Sequence, residues 1–226
     1  MGKTRRAESR RLYDRNAPLF GMMEAVMDWM GGSVWRVNLW KSIPPGRLLE
    51  VGVGTGKNIP LHPARGQVTA VDISPRMLIR AKRKALRRAK AGGAIPWLVV
   101  ADAEALPFGD GVFDGAVATF VFCSVDDPVA GLKELRRVVR PAGRLAMLEH
   151  VLSRKKWLAW WMNRMDRVAR FVAGAHINRD TVANVRAADW RVDQELNLQG
   201  DVVKRIEAVR QPSGLGAGRA GQGTKT

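Results

Sequence analysis

Short apolar runs alternate with longer amphipathic segments along most of the chain. Apolar runs of this kind are typical of buried parallel strands, and the amphipathic segments between them are typical of the helices that cover such a sheet. The last two runs follow each other closely, as the strands of an edge hairpin do. The pattern predicts an α/β domain with a seven-stranded, mostly parallel sheet and helices on both faces. The predicted strands are residues 47–51, 68–71, 97–100, 113–119, 144–148, 190–192 and 202–209.

Helical periodicity fills the segments between these runs. Ser74 and Pro75 mark a helix start, with a hydroxyl cap followed by a proline in the first turn. That helix carries many cations and no acid, and we interpret its charged side as a solvated outer face. Asn178 is a further candidate helix cap. The predicted helices are two short ones within 22–40, a short one within 57–63, and longer ones over 75–91, 127–139, 154–173 and about 178–188.

The first strand breaks into a glycine-rich loop, in which Gly52, Gly54 and Gly56 alternate with other residues. Glycines permit a tight turn and a close approach of the backbone to a ligand. The second strand ends in Asp72, where a carboxylate can bind the two hydroxyls of an adenosine ribose. The loop and this carboxylate together predict a nucleoside-cofactor site.

The loop differs from the loops that bind dinucleotides and triphosphates. Its spacing is Gly-x-Gly-x-Gly, and it lacks both the Gly-x-Gly-x-x-Gly pattern and a Gly-Lys-Ser/Thr ending. Glu50, two residues before the loop, would repel a phosphate. A buried carboxylate there suits a cationic ligand that carries an ammonium or sulfonium group.

These features resemble the class I S-adenosylmethionine-dependent methyltransferases, and the likeness extends from about Tyr13 to Arg210. The resemblance implies a Rossmann-like fold, an N-terminal helical lid, and S-adenosylmethionine as the cofactor, with S-adenosylhomocysteine as its product. Within that family the chain looks most like the phospholipid N-methyltransferases and their quinone- and thiol-methylating relatives. The motifs that carry the likeness are residues 49–56, 71–78, 101–108, 113–114, 119–125 and 148–150.

The resemblance also assigns the residues that contact the cofactor. Asp102 would accept from the adenine amino group, and Thr119 and Phe120 would line the cofactor and the reaction cleft. The full set of implied cofactor contacts is Glu50, Gly52, Gly54, Gly56, Asn58, Asp72, Ile73, Met77, Asp102, Ala103, Thr119 and Phe120.

Three residues are candidates for the catalytic role, because an amine acceptor must lose its proton before it attacks. Glu149 and His150 follow a predicted strand and should reach the same edge of the sheet as the glycine loop. Tyr13 lies in a segment that resembles the one folded over the cofactor pocket in the lipid and quinone methyltransferases. Those relatives usually carry a second aromatic–acid pair, and this chain has Leu19-Phe20 instead.

The predicted helix over 154–173 has an unusual apolar face. Trp157 and Trp161 lie on it, cations precede it, and Arg164 falls inside it. Tryptophans at the edge of an apolar face with cations around them suit a lipid headgroup interface. The alternatives are a helix that covers the sheet or forms a dimer contact. The candidate substrate and membrane contacts are Trp157, Trp161, Arg164, His176 and Asn178.

Composition narrows the class of protein. The chain of 226 residues has a net charge of +17, which indicates attraction to an anionic partner. It has one cysteine and no apolar stretch long enough to span a membrane. Its three histidines are scattered along the chain and do not predict a metal site. We expect a cytoplasmic protein, peripheral on the inner face of the cell membrane, that is a monomer or weak dimer. The expected division is 1–43, a basic arm and helical lid; 44–211, the methyltransferase domain; and 212–226, a disordered tail.

The sequence thus favours methylation of a membrane-borne acceptor, with the amine of phosphatidylethanolamine as the best candidate. A quinone or a small thiol is the alternative acceptor. A third alternative is an RNA-associated cofactor-binding protein. Nucleic acid is disfavoured because the basic helix over 75–91 lacks interleaved aromatic residues, and because no Asn/Asp-Pro-Pro-Tyr/Phe motif follows the fourth strand.

Overall fold

The computed structural model describes residues 31–173, 176 and 178–212, with the backbone alone for 167–173. Residues 1–30, which include Tyr13 and most of the predicted arm and lid, lie outside the described part, as do residues 213–226 of the predicted tail. The strands are β1 Arg47–Val51, β2 Gln67–Asp72, β3 Trp97–Val100, β4 Phe113–Thr119, β5 Val139–His150, β6 Trp190–Gln199 and β7 Val203–Arg210. The helices are α1 Ser33–Ser42, α2 Pro75–Lys90, α3 Pro128–Val138, α4 Lys156–Ala173 and α5 Thr181–Ala187, with a short 3-10 helix at Ile59–Leu61.

The seven strands form one sheet in the order β3-β2-β1-β4-β5-β7-β6. Strands β1 to β5 run parallel to one another, and β7 is antiparallel to both β5 and β6. The direction of strand progression reverses between β1 and β4, which creates the crevice where ligands bind in open α/β sheets. The predicted Rossmann-like sheet with an edge hairpin is confirmed.

Alternating side chains of the strands build cores on both faces of the sheet. Leu49 of β1 belongs to the largest cluster, together with apolar residues of α3 and α5. Its neighbour Leu48 belongs to a second cluster with residues of α1, on the opposite face. Helix α2 packs beside it in a third cluster. The sheet is therefore the central layer of three.

Two boundaries differ from the prediction. Helix α3 ends at Val138, and β5 starts at once at Val139, five residues earlier than expected, because fully buried Val139 pairs with Phe113. Strand β6 extends to Gln199, whereas the apolar run ends at Val192. An edge strand of an antiparallel pair needs apolar residues on one face only, so the polar residues that follow Val192 concealed its length. Among the described helices, none combines the length and apolarity that crossing a bilayer requires.

Candidate active site

Glu50, near the carboxyl end of β1, is the polar centre of the site. Its side chain is 1% exposed. Its Oε1 accepts a hydrogen bond of 2.8 Å from the side-chain amide (Nδ2) of Asn58, and its Oε2 lies 2.8 Å from His62 Nε2. The Asn58 amide also donates to Thr119 Oγ1 at 2.9 Å, at the end of β4. One buried carboxylate thus joins β1 and β4, across the point where the strand order reverses, to the segment after the glycine loop.

The glycine loop needs its glycines for two reasons. Gly52, Gly54 and Gly56 have φ angles of +66°, +54° and +81°, in the left-handed region. A Cβ on Gly52 would also lie 2.3 Å from a methyl carbon of Val121, and one on Gly56 would lie 2.7 Å from Ile59. The first and third glycines therefore serve close packing of the chain against itself, in addition to any approach of a ligand.

Asp72, the last residue of β2, is held in one orientation by the backbone. Its Oδ2 accepts from the Gly54 amide at 2.8 Å, and its Oδ1 accepts from the Ser74 amide at 2.9 Å. Each carboxylate oxygen can accept more than one hydrogen bond. The arrangement leaves the carboxylate suited to a ligand with two adjacent hydroxyls, such as a ribose.

The end of β3 lies beside Asp72, because the Ala101 amide donates to the Asp72 carbonyl at 3.1 Å. The next residue, Asp102, accepts from the Glu104 amide at 2.9 Å. This places a second backbone-oriented carboxylate next to the first, where it suits an amino group of a base. The other predicted contacts near these strand ends are partly buried Ile73, buried Met77 in the first turn of α2, and Ala103, which packs against the largest core cluster.

A second group of side chains lies where β4 and β5 end. Phe120 has a left-handed φ of +58°, and its amide donates to the Leu148 carbonyl at 2.7 Å. Its ring centroid is 4.8 Å from that of His150 and 5.4 Å from the guanidinium carbon of Arg36. Burial lowers the pKa of His150. At neutral pH its imidazole is therefore uncharged and able to accept a proton.

Glu149 turns into the interior instead of reaching the mouth of the cleft. It is fully buried, and its Oε1 accepts from the amides of Val121 at 2.9 Å and Phe122 at 3.0 Å. Burial raises the pKa of Glu149 to about 7, although these amides oppose the shift. The geometry gives Glu149 the position of a residue that holds the loop after β4. Direct action on an acceptor stays a prediction for it.

Helix α4 presents an apolar face to the surroundings. Trp157, Trp160 and Trp161 are 65%, 60% and 53% exposed, and Met165 is exposed beside them. We call these four side chains the tryptophan face. The alternative that they cover the sheet does not fit this exposure, whereas the predicted headgroup interface and the alternative dimer contact both do. Among the side chains that the structure describes, the exposed cations on or next to this stretch are Arg154, Lys155, Lys156 and Arg164.

His176 and Asn178, which follow α4 in the chain, connect this helix to the loop after β4. His176 Nδ1 lies 3.0 Å from an Asp166 carboxylate oxygen on α4, and the His176 amide donates to the Cys123 carbonyl at 2.8 Å. Asn178 donates to the Asn163 side-chain oxygen at 3.0 Å. Both predicted substrate-side residues thus anchor α4 next to the end of β4.

Arg179 completes this connection, although it was not among the predicted site residues. Its guanidinium donates to the carbonyls of Phe122 at 2.9 Å and Val125 at 2.6 Å. The predicted cap of the following helix is wrong, since Asp180 and not Asn178 caps α5, by accepting from the Ala183 amide.

The structure also adds a buried residue to the site. His62, for which the sequence predicted no role, is 4% exposed and contacts Glu50. Nothing in the sequence linked these two residues, because His62 lies between two prolines in a segment too short to show a periodicity. Buried Arg36 was also missed, since it interrupts an otherwise apolar stretch. Within the part of the chain that the structure describes, no three histidine, cysteine or acidic side chains group as metal ligands.

The donor and acceptor set fits a cationic nucleoside. Asp72 and Asp102 offer acceptors to hydroxyl and amino groups, and Glu50 offers a buried negative charge at the strand ends. A cation gains most from such a charge where water is excluded. A phosphate would be repelled by the same three carboxylates.

The known proteins that this chain resembles are methyltransferases. Residues 49–147 match the methyltransferase domain family. A phosphatidylethanolamine N-methyltransferase of Cereibacter sphaeroides is 39% identical over 114 residues, which are 50% of this chain and 55% of that protein. A demethylmenaquinone methyltransferase of Thermus thermophilus is 34% identical over 61% of this chain and 64% of its own length. A human thiol S-methyltransferase is 32% identical over 74% of this chain and 64% of its own length.

The chain spans less than two thirds of the length of each of these three relatives. Among solved structures, a S-adenosylmethionine-dependent methyltransferase of Thermotoga maritima, described as a possible histamine N-methyltransferase, superposes with a TM-score of 0.67. It is 22% identical, and the alignment covers 89% of this chain and 99% of that one. At this identity the likeness establishes the fold alone.

Proposed function

We infer that this chain, which belongs to the class I S-adenosylmethionine-dependent methyltransferases, transfers a methyl group from S-adenosylmethionine to a lipid at a membrane surface. The acceptor that we propose is the amino group of phosphatidylethanolamine, on the way to phosphatidylcholine. The proposed place of work is the inner face of the cell membrane. The observation that carries this proposal is the exposed tryptophan face of α4, beside four cations and anchored to the end of β4.

The cofactor, when bound, supplies a methyl group on a sulfonium, which is transferred by in-line displacement with loss of the sulfonium charge. The protein contributes alignment of the reactants and exclusion of water. In this chain, Asp72 is oriented for the ribose hydroxyls and Asp102 for the adenine amino group. Glu50 provides negative charge for the cationic end.

The acceptor side is built around Phe120 at the end of β4, with the His150 ring and the Arg36 guanidinium each in contact with its ring. An ethanolamine headgroup carries an ammonium, and the nitrogen lone pair becomes available only after a proton leaves. Uncharged His150 can take that proton. Aromatic Phe120 offers a face to the same cationic headgroup.

The surface of α4 suits a bilayer interface. Tryptophan side chains, which are apolar with one polar N–H, are favoured at the headgroup level. The neighbouring Arg154, Lys155, Lys156 and Arg164 favour the anionic inner leaflet. Since α4 is tied to the loop after β4, docking of this face would bring lipid headgroups to the ends of β4 and β5.

Incubation with labelled S-adenosylmethionine and vesicles of phosphatidylethanolamine and phosphatidylglycerol tests the proposal, with demethylmenaquinone and a small alkyl thiol as parallel acceptors. We expect label in mono-, di- or trimethylated phosphatidylethanolamine. Label in the quinone or the thiol alone would contradict the proposed acceptor and keep the methyltransferase assignment. The absence of label in all three would contradict both.

A further inference from the structure

His62 forms a buried polar pair with Glu50. It follows the short helix Ile59–Leu61, and both side chains of the pair are 1% exposed. The contact of 2.8 Å joins His62 Nε2 to the carboxylate oxygen that Asn58 does not use. Neither the sequence motifs nor the residues assigned to the cofactor include His62.

Several contacts fix the position of this imidazole. The ring centroid of Trp40 lies 4.7 Å from that of His62. The His62 amide donates to Ile59, and the His62 carbonyl accepts from Arg88 of α2 at 2.7 Å. The backbone and the ring are therefore held from two sides, and His62 cannot leave Glu50 without a rearrangement of this segment.

The surroundings of the ring determine which proton it carries. His62 Nδ1 is buried and has no hydrogen-bond partner among the described residues. A doubly protonated ring would bury an N–H at Nδ1 without an acceptor, which is unfavourable. The uncharged ring with its proton on Nε2 satisfies the geometry, and it donates to Glu50.

Glu50 therefore receives two uncharged donors, the Asn58 amide and the His62 imidazole. Uncharged donors hold a carboxylate in place without cancelling its charge. In a buried site that charge interacts strongly with a ligand cation.

We propose that His62 is a positioning residue that holds the Glu50 carboxylate in one orientation, and thereby makes the site prefer a cationic ligand to an uncharged one. The proposal rests on the cofactor of the proposed function. S-adenosylmethionine carries a sulfonium, whereas S-adenosylhomocysteine has a thioether at the same position. His62 then favours release of the product, because the product lacks the charge that Glu50 stabilises.

Equilibrium binding of both compounds tests this proposal without an activity assay. The variants are His62→Gln, His62→Asn and His62→Phe, measured by calorimetry together with the midpoint of thermal unfolding. We expect the ratio of the two dissociation constants to shift about tenfold against S-adenosylmethionine in the Phe variant, which has no donor. Gln, which reaches as far as Nε2, should restore most of the ratio, whereas the shorter Asn should not.

A purely structural role would lower the affinity for both compounds equally and leave their ratio unchanged, and that result would overturn the proposal. The Gln and Asn variants decide the question even if the Phe variant does not fold, because both are polar and close in size. Wild-type protein that binds neither compound would overturn the cofactor assignment as well. An unchanged ratio in protein that binds both would overturn this inference alone.

Discussion

Two buried carboxylates at the strand ends have different tasks. Glu50 receives side-chain donors from Asn58 and His62, next to the predicted cofactor site. Glu149 receives backbone donors from Val121 and Phe122, and so fixes the loop that carries the strained Phe120. The sequence could not distinguish the roles of Glu50 and Glu149, because both are glutamates in motifs at strand ends. The direction of each side chain depends on its partners across the sheet.

The first prediction concerns the pH dependence of stability. The folded-state pKa of Glu149, about 7, lies above its ordinary value of 4.5, so the folded chain binds more protons between these values. The contribution to stability is complete below the ordinary value and is lost as the pH rises through about 7. Glu149→Gln keeps an acceptor for the two amides and cannot ionise. We expect the wild type to lose roughly 3 kcal/mol relative to this variant between about pH 4 and pH 8.

Urea denaturation across that range measures the difference. Glu149→Ala is the control, because it removes the acceptor of both amides and should be less stable than the Gln variant by about 1–3 kcal/mol at every pH. Parallel curves for the wild type and the Gln variant would show that Glu149 does not titrate in this window.

The second prediction concerns His150 as the proton acceptor. His150→Phe keeps a ring against Phe120 and cannot accept a proton, so we expect kcat to fall about a hundredfold with unchanged affinity for the cofactor. Because burial lowers the pKa of His150, the acid limb of the wild-type kcat profile should lie below the usual histidine range. Activity near that of the wild type, in either the Phe or the Ala variant, would remove His150 from this role.

At the scale of elements, the glycine loop is specified by packing as well as by backbone conformation. Gly52 and Gly92 both have left-handed φ angles, of +66° and +81°. A Cβ on Gly92 meets nothing within 4 Å, whereas one on Gly52 meets Val121. An alanine at Gly92 would therefore cost backbone strain alone, whereas an alanine at Gly52 would cost backbone strain and a clash with Val121.

The third prediction follows from this comparison. Gly92→Ala should lower the free energy of unfolding only by the cost of a left-handed alanine, about 1–2 kcal/mol. Gly52→Ala should lower it by more, because the loop and Val121 must move apart. For the same reason it should also weaken cofactor binding. Chemical denaturation and calorimetry measure the two effects. Equal losses in both variants would show that the contact with Val121 does not constrain the loop.

The parallel elements were predictable because a buried parallel strand and a capped amphipathic helix have strong patterns. Helix α2 begins at Pro75, as predicted, with Ser74 accepting from the Met77 amide. The edge strand β6 and the start of β5 were not, since pairing across the sheet decides them. In the site, the motif residues around Glu50 and Asp72 came together as expected. His62, Arg36 and Arg179 were not found, because each acts through a partner that is remote in sequence.

At the scale of the whole molecule, charge and exposed aromatic surface lie on different elements. Five of the eight cations of α2 are exposed, and all eight contribute to the net charge of +17, which attracts any polyanion. The tryptophan face of α4 adds a feature that long-range attraction lacks, since aromatic burial requires a partner with an apolar interior. Trp97 of the edge strand β3, which is 71% exposed, provides a matched control for that face.

The most direct test of the account compares the double variant Trp157→Ser/Trp161→Ser with Trp97→Ser on two acceptors. One acceptor is phosphatidylethanolamine in anionic vesicles, and the other is a short-chain phosphatidylethanolamine kept monomeric in solution. We expect the double variant to lose about tenfold or more in kcat/KM on vesicles and to keep its activity on the monomeric lipid. The control variant Trp97→Ser should keep its activity on both acceptors. Equal activity of the double variant and the wild type on vesicles, or an equal loss on both acceptors, would contradict the account.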